Sequence, residues 1–73
     1  MKTVEIFKTN VISEQAAKAI LKEIGSHKPE YKSNFDLDYC DKVLRIENVG
    51  GKVDAGLIFG ILEKNNYACS ILQ

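Results

Sequence analysis

Cys40, Cys69 and His27 are the side chains here with the strongest claim to chemistry. Cys40 lies in the run Asp36-Leu37-Asp38-Tyr39-Cys40-Asp41, where Asp36, Asp38 and Asp41 crowd one sulfur. Such a set offers oxygen and sulfur donors to a cation, or presents a thiol for reaction. It also reads as an acidic hairpin turn with a half-exposed cysteine. Neighbouring carboxylates disfavour the thiolate, which argues against a nucleophilic role. Cys69 shares strand parity with Tyr67 and Ile71 and reads as core packing; pairing it with Cys40 around a metal would require it to twist outward. No closely spaced cysteine pair of the kind that marks metal sites supports that pairing. His27 follows the first helix and reads as a surface histidine.

These residues are positioned by six elements. Val4 to Lys8 is rich in β-branched and aromatic residues and predicts a strand, with Val4 and Ile6 turned inward and Phe7 breaking the alternation. The following turn, Thr9-Asn10-Val11-Ile12-Ser13-Glu14-Gln15-Ala16, holds no Cys, no His and no glycine-rich cradle. Ser13 is a good N-cap, and Ala16, Ala17, Ile20, Leu21 and Ile24 recur at helical spacing, predicting a helix from Glu14 to Ile24 closed by Gly25 in a left-handed conformation. Tyr31 to Leu37 and Val43 to Glu47 read as a β-hairpin around a polar turn. Asp54 caps a second helix ending near Lys64, with Ala55, Ile58, Phe59 and Leu62 on its inner face and Leu57 and Ile61 beyond it. Asn65-Asn66 suits positive φ, and Tyr67 to Leu72 alternates as a last strand.

The order βαββαβ, with right-handed crossovers, predicts an α+β ferredoxin-like sandwich. Its four-stranded antiparallel sheet carries both helices on one face, and residues 1–73 form a single domain. In this topology the first turn, the hairpin tip and the entry to the last strand share one end, which brings Cys40 and Tyr67 towards the first turn. His27 lies at the other end. No Ser/His/Asp set occurs, no paired carboxylates share a pocket, and the first loop lacks the Arg that an acylphosphatase would need, so no enzyme activity is indicated. Gly56 and Gly60, four apart on an unusually apolar helix, suit either tight packing on the first helix or a partner surface.

Composition narrows the partners. Ten basic and ten acidic residues cancel across 73 residues, so there is no broad positive field for nucleic acid or anionic membranes. The sheet also lacks the interleaved aromatic and basic platform that stacks RNA bases. A charge at Lys2 interrupts any signal-like start, and no apolar run is long enough to span a bilayer. The expected compartment is the cytoplasm, with both cysteines reduced.

The second half, V-D-A-G-L-I-F-G-I-L-E-K-N-N-Y-A-C-S-I-L from Val53 to Leu72, resembles the end of heavy-metal-associated domains. Small copper chaperones and the N-terminal modules of metal ATPases belong to that family. Asp54 matches the helix cap, Ile58 and Leu62 match the core aliphatics, and Asn66-Tyr67 stands for the family's Gly-Tyr. The resemblance implies a small binding module whose cofactor would be a transition-metal ion. In the family, Met-x-Cys-x-x-Cys at the first turn holds that ion; here Val11, Ser13 and Ala16 occupy the three positions. Neither Ser nor Ala supplies the thiolate that a soft ion requires. Cys40, with Asp38 and Asp41 nearby, is the remaining metal candidate. Two alternatives stay open: a protein-interaction or homodimerisation domain using helix two or a sheet edge, and a small-ligand sensor resembling ACT domains.

Overall fold

The computed structural model describes residues 2–36 and 42–72. The chain order is β1 (Thr3–Thr9), α1 (Glu14–His27), β2 (Lys32–Asp36), β3 (Val43–Asn48), α2 (Ala55–Lys64) and β4 (Cys69–Ile71). The strands form one antiparallel sheet in the order β2-β3-β1-β4. This is the ferredoxin-like arrangement, with the two central strands paired to each other and β2 and β4 at the edges.

The facing of β1 corrects the expectation for Val4 and Ile6. Phe7 is fully buried, as is Leu44 opposite it, whereas Val4 is 38% exposed on the other face. Successive side chains alternate, so a strand that buried Val4 and Ile6 would also drive Lys8 beneath the helices. An unpaired ammonium there is far costlier than two partly exposed aliphatics. The parity chosen buries Phe7 against the Phe59 ring, edge-on at 5.8 Å between centroids, and leaves Lys8 exposed. Thr9, also inward, satisfies its hydroxyl by donating to the Lys42 carbonyl at 2.7 Å and accepting from Val11 N–H at 3.2 Å.

In α1, Ala17, Ile20 and Ile24 are buried. The helix runs past Gly25 to His27, and no glycine has positive φ. Proline, not glycine, ends it: Lys28 precedes Pro29, which disfavours helical ψ before it, and Lys28 sits at φ −135 and ψ 77. Its N–H still donates to the Ile24 carbonyl at 2.8 Å. His27 therefore belongs to the last helical turn rather than to a loop.

In α2, Ile58, Ile61 and Leu62 are buried, so Ile61 belongs to the core rather than beyond it. Asp54 Oδ1 accepts from Leu57 N–H at 3.2 Å, and Asp54 N–H donates to the hydroxyl of buried Tyr31 at 2.8 Å. One aromatic side chain thus ties the approach to β2 to the start of α2. Asn66 adopts φ 67, as its position after the helix requires. Pairing in β4 begins at Cys69, two residues later than the sequence pattern predicts. Phe7, Val11, Ile20, Ile24, Leu44, Ile46, Ile58 and Leu62 are the largest fully buried side chains, filling the single layer between sheet and helices.

Candidate functional site

The turn from β1 into α1 is where an ion or anion would be expected, since unpaired N–H groups gather at a helix start. Local forces use it up. Val11 is fully buried, and Ser13 takes up extended angles with its Oγ accepting from Ala16 N–H at 3.3 Å. Ala16 is half-buried against the core, and its methyl side chain has no atom that could ligate an ion. Between them Ile12 is 75% exposed. Val11, Ser13 and Ala16 thus serve as a core residue, a helix cap and a packing methyl.

The expected convergence at this end of the sheet is present among the described residues. Asn10 Oδ1 accepts from Ala68 N–H at 2.8 Å, joining the first turn to the entry of β4, and Thr9 holds Lys42 at the start of β3. A hollow of about 200 Å³ opens there, lined in part by Lys8, Asn10 and Cys69. Cys69 is half-buried and packs against the core, and burial pushes its thiol up to about 11. A thiol held protonated in this way is a poor ligand and a poor nucleophile at neutral pH. Cys40, Asp38 and Asp41 lie outside the described residues. Asp36 ends β2, paired in register with Val43. Among the described residues no group of three His, Cys, Asp or Glu side chains could hold a metal ion.

His27 sits at the far end of α1, beside an open groove of about 420 Å³ formed with Gly56, Leu57, Gly60 and Ile61. Tight packing of α2 on α1 does not explain these glycines. A Cβ on Gly60 would meet nothing within 4 Å, and one on Gly56 would meet only Asp54 Oδ1 at 3.5 Å. At one end of the groove Lys64 Nζ donates to Glu23 Oε2, and Asn65 Nδ2 donates to Glu23 Oε1 at 3.4 Å. The Lys64 hydrogen bond holds the Glu23 carboxyl below its usual range, partly opposed by desolvation.

A third groove, of about 400 Å³, runs between α1 and the edge strand β2 and includes Ala17, Leu21 and Phe35. Sequence reasoning missed it. The available signal was the alternation of Lys32, Asn34 and Asp36 on one face of a short strand, with Phe35 on the other. No family model matches this chain, and comparison with curated proteins and with solved structures gives no match. Among the described residues no helix is long and apolar enough to cross a membrane.

Proposed function

We propose that this chain is a non-catalytic binding module, built like a heavy-metal-associated domain, that docks to protein instead of carrying an ion at its first turn. The observation that argues against an ion at this turn is the fate of Val11 and Ser13: one is sealed in the core, and the other spends its oxygen on the helix. Soft ions need thiolate or thioether donors, and this turn presents none. Raised proton affinity at Cys69 works in the same direction. The cytoplasm suits the reading, since the free Cys69 thiol persists under reducing conditions.

Titration with Cu(I), Zn(II) and Ni(II) under reducing conditions tests it, with Cys40→Ser beside the wild type. The expected result is no binding at roughly micromolar metal. Stoichiometric metal binding would overturn the proposal, and its loss in Cys40→Ser would assign the ion to the hairpin end instead of the first turn.

A further inference from the structure

The strand at one edge of the sheet carries a pattern that a second copy of itself completes. Among the described strands β2 is outermost, so one side of its backbone meets no other described strand. The groups facing outward follow from the register. Thr9 N–H donates to the Lys42 carbonyl, and Leu72 N–H donates to the Ile6 carbonyl. Odd-numbered residues of β1 therefore bond towards β3, and even-numbered ones towards β4. Antiparallel alternation carries this parity across the sheet. In β3, Leu44, Ile46 and Asn48 turn their backbone groups to β1, leaving Val43, Arg45 and Glu47 to bond with Asp36, Asn34 and Lys32. The outward N–H and C=O groups of β2 thus belong to Ser33 and Phe35.

A new antiparallel ladder must use those two residues as its hydrogen-bonded pairs. Ser33 opposite Phe35 of a second copy does so twice about a two-fold axis at Asn34. In that register Lys32 stands opposite Asp36 of the second copy, and Asp36 opposite its Lys32. Both side chains are exposed, and the two residues face each other across a non-hydrogen-bonded pair of the new ladder, where cross-strand side chains approach most closely. The registers centred on Ser33 or Phe35 lose this match, because they set Lys32 or Asp36 against Asn34. Charges on an edge strand usually repel a second strand. Opposite signs placed symmetrically about the midpoint attract one, in this register alone.

The helix side agrees. Phe35 is half-buried at the sheet edge and shares the groove of about 400 Å³ with Ala17 and Leu21, with the charged Glu14, Lys18 and Asp36 also lining it. A strand laid against β2 covers the open side of that groove, and the diagonal Phe35 rings come within reach of each other.

We propose that the chain forms a two-fold homodimer in which β2 pairs with β2 of a second copy about Asn34, joining two four-stranded sheets into one. The proposal deepens the docking reading and rests on it, naming the partner as a second copy of this chain. Charge self-complementarity favours that partner over an unrelated peptide.

The test is sedimentation of the full chain from about 10 µM to about 1 mM at about 0.15 M salt. Wild type, Lys32→Asp, Asp36→Lys and the double variant are compared, with far-UV circular dichroism confirming the fold. Each single reversal creates two like-charge contacts per dimer and should weaken dimerisation by about tenfold or more. The double variant should recover to within about threefold, and an equimolar mixture of the two single variants should form a heterodimer, since its charges are again complementary. A wild type that stays monomeric at about 1 mM overturns the dimer. So does a dimer indifferent to both reversals, or a mixture that does not associate. Each of these leaves untouched the reading that the first turn carries no ion, since the metal titration decides that separately.

Discussion

At the scale of single residues, Ser13 shows how a helix start can be closed to ligands by its own cap. Its Oγ occupies one of the N–H groups that a helix start would otherwise offer to a ligand. Ser13→Ala should therefore lower stability by about 1 kcal/mol, read as a shift in the urea midpoint at unchanged slope. Unchanged stability would mean that the cap contributes nothing and that the hydroxyl is free for other work. The cap was legible in the sequence because Ser before Glu and a helical apolar pattern is a local signal. The engagement of the Tyr31 hydroxyl by Asp54 N–H was not, because it joins residues 23 apart along the chain. Inward facing at Val4 and Ile6 was misjudged for a related reason. Residue hydrophobicity favours them, but parity links them to Lys8, and the whole strand must choose one face.

At the scale of elements, α2 departs from what its glycines suggest. Spacing alone admits close helix packing, yet the space beyond Gly60 is empty. Gly60→Ala should raise stability by about 1 kcal/mol through helix propensity and a less mobile unfolded chain. Differential scanning calorimetry or urea unfolding measures it, and destabilisation would show that α2 packs more closely at Gly60 than this open groove allows. The element boundaries were readable where the start or stop signal was local, as at Asp54 and Asn66. At the end of α1 two stop signals competed: Gly25 permits a left-handed turn, whereas Pro29 imposes a boundary. The backbone obeyed the constraint and ignored the permission.

The join between α1 and α2 belongs to the same scale and titrates. Lys64 bonding holds Glu23 below the usual carboxylate range in the folded chain. Because the folded value is the lower one, the stabilisation is present above the unfolded carboxylate pKa and is lost as pH falls through the depressed value. Between neutral pH and the acid limb, wild type should lose stability more steeply than Glu23→Gln. Unfolding midpoints collected from pH 7 down to about pH 3 provide the comparison. Parallel curves would show that the bridge carries no linkage. Its worth is modest in either case, since Lys64 is largely exposed and water screens the pair.

At the scale of the whole molecule, the fold was legible because alternation of strand and helix patterns leaves few topologies open to a short chain. The candidate surfaces were less so: the β1–α1 turn with its Ser13 cap was readable locally, but the β2 edge emerged only from register, which no local pattern specifies. Register also sets where the stability resides. A chain of 73 residues has a total margin of about 4–10 kcal/mol. Phe7 sits on a central strand, opposite Leu44 and Ile71 and edge-on to Phe59, so it joins sheet to helix at the middle of the core. Phe7→Ala should cost about 3–5 kcal/mol, most of that margin, because the cavity it leaves is lined by elements that cannot all close in. Its neighbour Ile6 is only partly buried on the opposite face, and Ile6→Ala should cost about 1 kcal/mol. Urea unfolding of the two variants decides between the two facings of β1. Equal losses, or a larger loss at Ile6, would mean that the strand presents Val4 and Ile6 to the helices, and the backbone parity from which the outward groups of β2 follow would fall with it.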